Sequence, residues 1–383
     1  MTFSPKITNE AAALSVFALL TFLAGCGPRG EAQKATAGGA DGATAPPAAV
    51  RVAFFPNVTH AAALYASGTG AFEEALGDSI RVEERVFTAG PSEIEALFAG
   101  EVDIGYIGPG PALNGYLKSR GKALRIVAGA SSGGAALVAR QDIPLKGVAD
   151  LGGKRVAVPQ TGGTQDISLR HALAEAGLKP REKGGTVDVV QYAPADTLNL
   201  FKEKQIDAAW LPEPWVARLE AEAGARVVVD ERDLWPGGKF ATTVVIARSE
   251  FLEKHPDLVE KFLGAHIAAV DAIGARPEEA RRVIGERLAA LNQGKKLPEA
   301  ILKTALSRTD ITHDALNESV LTFADWSAAL GYQREDRTAL AGLFTDTPRE
   351  RALAARGAAP PGKAVTAAAA AGAAAAREKE GKP

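Results

Sequence analysis

From Val50 onward the chain alternates short apolar runs with longer segments whose apolar residues fall three and four apart. Short runs rich in Val and Ile, bounded by Gly, Pro or Asp, read as strands covered on both faces, and the longer segments read as helices packed over them. Strands are predicted at Val50 to Phe55, Ile80 to Phe87, Asp103 to Ile107, Leu124 to Ala130, Ala135 to Ala139, Arg155 to Val158, Val187 to Gln191, Ala208 to Leu211, Arg226 to Val229 and Val244 to Ala247. Beyond Ser249 the period is helical, with helices predicted at Phe251 to Leu263, Ala265 to Ile273, Pro277 to Leu291, Pro298 to Ser307, His313 to Leu330 and Arg337 to Leu343. Strands alternating with helices predict an α/β fold whose sheets are mostly parallel.

Two stretches repeat. Leu97-Phe98 followed by Val102-Asp103-Ile104-Gly105-Tyr106-Ile107 is echoed by Leu200-Phe201 followed by Ile206-Asp207-Ala208-Ala209-Trp210-Leu211. Ala135 to Arg140 is echoed in the same way by Thr243 to Arg248. Similar α/β units explain the first echo by themselves, but together the two bracket a region. If the strands ending in Arg140 and Arg248 are crossovers, residues 50–140 with 243–345 form one lobe and residues 141–242 the other. A ligand then sits in the crevice at the carboxyl ends of the strands.

The two ends of the chain differ from this middle. Ala11 to Ala24 is apolar and runs into Leu23-Ala24-Gly25-Cys26, which holds the single cysteine. Secretory signals carry an apolar stretch of roughly 7–15 residues before small residues at the cleavage site, and this one is too short to span a bilayer. The arrangement resembles a bacterial lipoprotein signal, which implies that residues 1–26 are signal and that lipidated Cys26 anchors the protein to the lipid bilayer. Residues 27–49, rich in Gly, Ala, Pro and Thr, are expected to be a flexible tether, and residues 346–383 a low-complexity, Ala-rich tail. A length of 383 residues with 46% hydrophobic composition suffices for a large core, and with Cys26 lipidated that core holds no disulfide. The 44 basic and 46 acidic residues leave a formal charge of -2, so no basic surplus exists to hold nucleic acid.

Candidate chemistry gathers at strand-to-helix junctions. Asn57 or Thr59 in Phe55-Pro56-Asn57-Val58-Thr59-His60 suits the cap of a following helix. Gly108-Pro109-Gly110-Pro111 permits close backbone approach and places proline at a helix start. In Thr161-Gly162-Gly163-Thr164-Gln165-Asp166 the expected cap is Thr164. Helix starts carry unpaired N–H groups and partial positive charge, so three of them facing one cleft suit an oxyanion. Ser131 and Ser132 add hydroxyls before the first crossover. Glu213 and Trp215 face them in Leu211-Pro212-Glu213-Pro214-Trp215, where the carboxylate either holds the amine of a zwitterion or is an ordinary helix-start charge beside a core aromatic.

Arg51-Val52-Ala53-Phe54-Phe55-Pro56-Asn57-Val58-Thr59-His60, Ile107-Gly108-Pro109-Gly110-Pro111, Ser131-Ser132-Gly133-Gly134, Thr161-Gly162-Gly163-Thr164-Gln165-Asp166 and Glu213-Pro214-Trp215 are similar to the nitrate, sulfonate and taurine group of ABC-transporter substrate-binding proteins. Thr242-Thr243-Val244-Val245 and Phe251 to Asp257 resemble its return strand and following helix. The resemblance spans roughly residues 50–345. It implies a type II periplasmic-binding fold of two lobes, each a mostly parallel sheet flanked by helices, hinged by two crossover strands and closing over its solute. It implies an extracytoplasmic, lipid-anchored protein, on the periplasmic side in a Gram-negative cell, that passes the solute to an ABC permease with a cytoplasmic ATPase. Carried onto this chain, its cleft comprises Asn57, Thr59, His60, Gly108, Pro109, Ser131 and Ser132, faced by Thr161, Thr164, Gln165, Asp166, Glu213 and Trp215. These loops contain no cationic side chain of the kind that would mark nitrate or bicarbonate, so the expected solute is a sulfonate-like organic anion or zwitterion. A monomer without cofactor or metal is expected.

Two rivals stand beside this reading. Relatives of the fold act in thiamine-pyrimidine biosynthesis, but no nucleophile elbow, P-loop or dinucleotide fingerprint occurs, and the five histidines lack metal-ligand spacing. Ser119-Arg120-Gly121-Lys122 matches a Ser-x-x-Lys spacing at a surface turn without supporting motifs. A solute sensor would use the same cleft.

Overall fold

The computed structural model describes residues 47–333 and 337–358. The strands, in chain order, are β1 (Ala49–Phe54), β2 (Arg81–Val86), β3 (Ile104–Ile107), β4 (Leu124–Gly133), β5 (Ala135–Arg140), β6 (Arg155–Val158), β7 (Asp188–Gln191), β8 (Ala208–Pro212), β9 (Ala225–Asp230), β10 (Ala241–Arg248) and β11 (Thr309–Ile311). The helices are α1 (Ala61–Thr69), α2 (Ala71–Leu76), α3 (Gly90–Phe98), α4 (Pro109–Lys118), α5 (Thr164–Glu175), α6 (Pro194–Lys202), α7 (Trp215–Ala223), α8 (Ser249–Lys254), α9 (Pro256–Ala275), α10 (Pro277–Leu291), α11 (Glu299–Ser307), α12 (Asn317–Ala329) and α13 (Thr347–Ala358). One sheet has the order β11-β4-β10-β3-β1-β2 and the other β7-β6-β8-β5-β9.

Read from opposite edges, the two sheets share one plan, with β2, β1, β3, β10 and β4 of the first answering to β7, β6, β8, β5 and β9 of the second. Both sequence echoes fall on this repeat, since β3 answers to β8 and β10 to β5. The pairings of β1 with β2 and β3, and of β6 with β7 and β8, are parallel. β10 runs against β3 and β4, and β5 against β8 and β9. These are the strands by which the chain enters a sheet from the other one, so each arrives from the opposite end. The repeat extends to its ion pairs. Asp103, which opens β3, accepts the Arg51 backbone N–H and pairs with Arg51 and Arg248. Asp207, which opens β8, accepts the Arg155 N–H and pairs with Arg140.

The first crossing lies upstream of its predicted position. Ala135–Arg140 pairs along its length with β8 and β9, so it belongs wholly to the second sheet and does not bridge the two. The break comes at Gly133 and Gly134, whose φ values of 71° and 69° end the strand in a conformation open to glycine. Thr242 Oγ1 donates to the Gly133 carbonyl at 2.5 Å and the Glu213 N–H to that of Gly134 at 2.8 Å, tying the crossing to both sheets.

The predicted strands all occur, and β11 is an addition that pairs antiparallel with β4. The two helices predicted between Phe251 and Ile273 divide instead at His255-Pro256, because proline lacks an N–H and favours a first helical position. The predicted helix at Arg337 to Leu343 is only a short 3-10 turn, Arg337–Leu340. Part of the predicted tail is ordered as α13, which packs on α9 with Ala352 buried and Arg356 paired to Asp271. A small-residue face lets this helix dock without large apolar side chains. Cys26, the signal, most of the tether and residues 359–383 lie outside the described residues.

Candidate functional site

Parallel strands place the loops that follow them along one edge of a sheet. Here the edges of the two sheets meet across a narrow cleft with a volume of about 30 Å³. The first sheet supplies the loops after β1, β2 and β3 together with the start of β10, and the second supplies the loop after β6 and the end of β8. Of the residues singled out from sequence, Asn57, Thr59, His60, Gly108, Thr164 and Gln165 line this single cleft. Thr88, Gly90, Gln160, Thr242 and Thr243 line it as well and were not foreseen. Thr88-Ala89-Gly90-Pro91 offered a readable signal, a fourth strand-to-helix junction with the Gly-Pro pairing of Gly108-Pro109. Thr242 and Thr243 lie within a strand whose apolar neighbours disguised them.

His60 is buried against Phe55, with ring centroids 4.4 Å apart, and its Nδ1 accepts the Phe55 backbone N–H at 3.2 Å. Burial lowers the imidazole pKa to about 3, so the ring is neutral at physiological pH. A neutral imidazole whose Nδ1 accepts carries its proton on Nε2. His60 therefore brings a neutral donor to the cleft.

The helix starts differ from expectation in an informative way. At α4, Pro109 and Pro111 have no N–H, leaving Gly110 as the donor of the first turn. That N–H points across the cleft to Thr164 Oγ1 at 3.3 Å. Thr164 is accordingly not the cap of its own helix, whose N-cap is Gly163 without a side-chain bond; its hydroxyl caps α4 from the other sheet. The approach is tight, since a Cβ on Gly108 would lie 2.1 Å from Thr164 Oγ1 and one on Gly110 2.7 Å from Ile167 Cδ1. At α5 the N–H groups of Thr164, Gln165 and Asp166 meet no acceptor among the described residues, so this helix start retains its orphan donors. Asn57 does not cap either. Its Oδ1 accepts the Trp215 indole N–H at 3.0 Å.

Several predicted residues sit outside the cleft wall. Asp166 is fully buried and accepts from Arg170 Nε at 2.7 Å, the Gly162 N–H at 2.8 Å and Tyr332 OH at 2.5 Å. Glu213 is 1% exposed, with Oε2 accepting the Ala217 N–H at 3.0 Å and Oε1 paired to Arg308 at 3.1 Å. Burial raises its carboxyl pKa, while the bonds from Ala217 and Arg308 oppose the rise. With both oxygens engaged, Glu213 is not available to hold a ligand amine, because the fold needs it to cap α7 and pair Arg308. Trp215 lies behind Asn57, with Arg218 stacked 4.6 Å over its ring. Ser132 Oγ accepts the Phe240 N–H at 3.2 Å, Ser131 is buried in β4, Pro109 is buried in the first turn of α4, and Thr161 is exposed with its N–H on Gln191.

Among the described residues, the cleft wall contains no Asp, Glu, Lys or Arg. Its chemistry is that of neutral dipoles, namely amide, hydroxyl and imidazole groups and a helix start, arranged around a small volume. Such a wall matches an anion of diffuse charge and gives a ligand ammonium neutral acceptors but no carboxylate.

Three comparisons bear on this architecture. A Brucella abortus protein known only as a binding protein is 36% identical over 198 residues, and the taurine-binding periplasmic protein of Escherichia coli 31% over 197; each match covers 51% of this chain and 59% of the relative. The chain thus spans about three fifths of the length of these curated relatives. Among solved structures, the alkanesulfonate-binding protein SsuA from Xanthomonas axonopodis pv. citri bound to MOPS matches with a TM-score of 0.61 and 23% identity over 76% of this chain and 94% of that one. The periplasmic nitrate-binding protein NrtA from Synechocystis PCC 6803 matches with a TM-score of 0.67 and 15% identity over 80% and 89%. At these identities the structures establish the α/β periplasmic-binding fold of two lobes. The NMT1-like family matches residues 43–289, and with that span this chain belongs to the NMT1-like family.

Proposed function

We propose that this protein is an extracytoplasmic solute-binding protein that captures a small sulfonate-like organic anion between its lobes and delivers it to an ABC permease with a cytoplasmic ATPase. The observation that carries this is the convergence of neutral donors from both sheets on one cleft, with the α5 start unpaired and no carboxylate in the wall. The names of the relatives, taurine- and aliphatic sulfonate-binding, point the same way, as does a structural neighbour named as the ligand-binding component of an ABC-type import system. Binding without turnover fits His60, whose Nδ1 is held by the Phe55 N–H and whose Nε2 carries the proton, so the ring has no free base to offer. In this reading lipidated Cys26 holds the protein at the membrane beside its permease.

The test is a thermal-shift screen of the chain with ethanesulfonate, propane-1-sulfonate, taurine, nitrate, ethylphosphonate and acetate. A ligand of the folded state alone must raise the melting temperature. The sulfonates are expected to give the largest shifts. A larger shift with nitrate or acetate overturns the sulfonate assignment, and no shift with any of them overturns the anion reading.

A further inference from the structure

We infer that Trp215 is a positioning residue that fixes Asn57 as a hydrogen-bond donor to the solute, and that this donor is assembled only where the two lobes meet. The inference rests on the anion reading above. An indole nitrogen can donate but not accept, so the group facing Trp215 Nε1 at 3.0 Å has to be the oxygen of Asn57. The orientation of the amide follows, and its NH2 is the part left over. Asn57 lines the cleft while Trp215 does not, and Nδ2 meets no acceptor among the described residues. An amide free to turn presents either oxygen or NH2 to a ligand; held by the indole, it presents only donors.

The elements that hold Trp215 come from the second sheet and its surroundings, apart from Arg308, which directly precedes β11 of the first sheet. Glu213 Oε2 accepts the Ala217 N–H and so caps the helix that Trp215 opens, Oε1 is paired to Arg308, and the Arg218 guanidinium covers the ring. The Glu213 carbonyl also accepts the N–H of Val58, the residue after Asn57, at 3.0 Å. The loop after β1 is therefore pinned at two adjacent points by the loop after β8. Separating the sheets releases both pins together and frees the amide to turn.

The test combines a double-mutant cycle with a measurement that needs no ligand. Affinity for ethanesulfonate is measured by calorimetry for the wild type, Trp215→Phe, Asn57→Leu and the double variant. Trp215→Phe is expected to weaken binding about tenfold in the wild-type background and to change it little once Asn57 is gone. An equal loss in both backgrounds makes Trp215 merely structural and overturns the inference, as does no loss in the single variant. Asn57→Asp keeps an acceptor for the indole and removes the donors, so it is expected to retain slow exchange of the Trp215 indole proton in NMR spectra and to lose ethanesulfonate binding. Fast indole exchange in the wild type, or undiminished binding by Asn57→Asp, overturns the inference. If the wild type protects its indole but binds none of the anions of the screen above, the anion reading fails and the donor role with it.

Discussion

Acidification acts on the stability of this protein through His60, among other buried groups. Burial takes its imidazole from an ordinary pKa of 6.5 to about 3. Between those values the unfolded chain takes up a proton that the folded chain refuses, so the stability tied to this site is complete above pH 6.5 and is lost as pH falls. Linkage gives a loss of about 2 kcal/mol between pH 7 and pH 5 for this single group. Other buried groups titrate too. His266, lowered to about 4 by burial, acts in the same direction. Glu231, raised to about 7 by burial against bonds from Ser168 and Trp210, acts in the opposite one, because its folded form holds the proton more tightly and gains relative stability as pH falls. A reference protein that shares these groups isolates His60. In His60→Asn the side-chain oxygen can still accept the Phe55 N–H but cannot titrate, so urea unfolding at pH 7 and pH 5 is expected to show the wild type losing about 2 kcal/mol more than the variant. Equal losses would refute the reasoning, since they would mean that the ring is not neutral and sealed in the folded protein.

Two further outcomes follow from the cleft. Propane-1-sulfonate should bind at least about tenfold more tightly than taurine, which has similar length but carries an ammonium for which the wall has no carboxylate; calorimetry giving equal or reversed affinities would mean that a carboxylate reaches the solute after all. Thr164→Val removes the acceptor for the Gly110 N–H across the cleft and should weaken solute binding by about 1 kcal/mol, with an unchanged dissociation constant in a folded variant excluding the hydroxyl from closure.

Most of the strands were legible because they are short apolar runs, several of them stopped by glycine or proline, although β2 carries four charged residues, and the two echoes were legible because the sheets repeat one plan down to Asp103 and Asp207. What failed was the assignment of partners. Glu213 and Asp166 stand in loops beside the cleft, and sequence shows their charge but not that Arg308 and Tyr332, far along the chain, occupy them. Thr164 was placed correctly and misread, since a hydroxyl at a helix start suggests a cap for its own helix, whereas proximity to Gly110 makes it a cap for another. The helix α13 was missed because its buried face is built on Ala352 rather than on large apolar residues, a pattern that composition alone does not separate from a tail.

These partner assignments also account for the cleft's neutrality. Charges lie close by, in Asp166 and Glu213, yet each is closed off by bonds to the protein, and the two prolines of α4 remove donors that a helix start otherwise displays. An ionised side chain in the wall would strengthen each hydrogen bond to an anion, but in an open cleft it would be hydrated, and stripping that water would cost several kcal/mol on every closure. Neutral donors carry a smaller desolvation cost and bind correspondingly less tightly, and many of them are brought together only by contacts between the sheets, as at Asn57 and Trp215 or Gly110 and Thr164. In the proposed reading, some of the contacts that join the lobes are then the same ones that set the solute's donors in place. In that reading, a partner that draws the lobes apart weakens these donors together and also parts the Glu213–Arg308 and Arg232–Asp310 pairs that join the two sides.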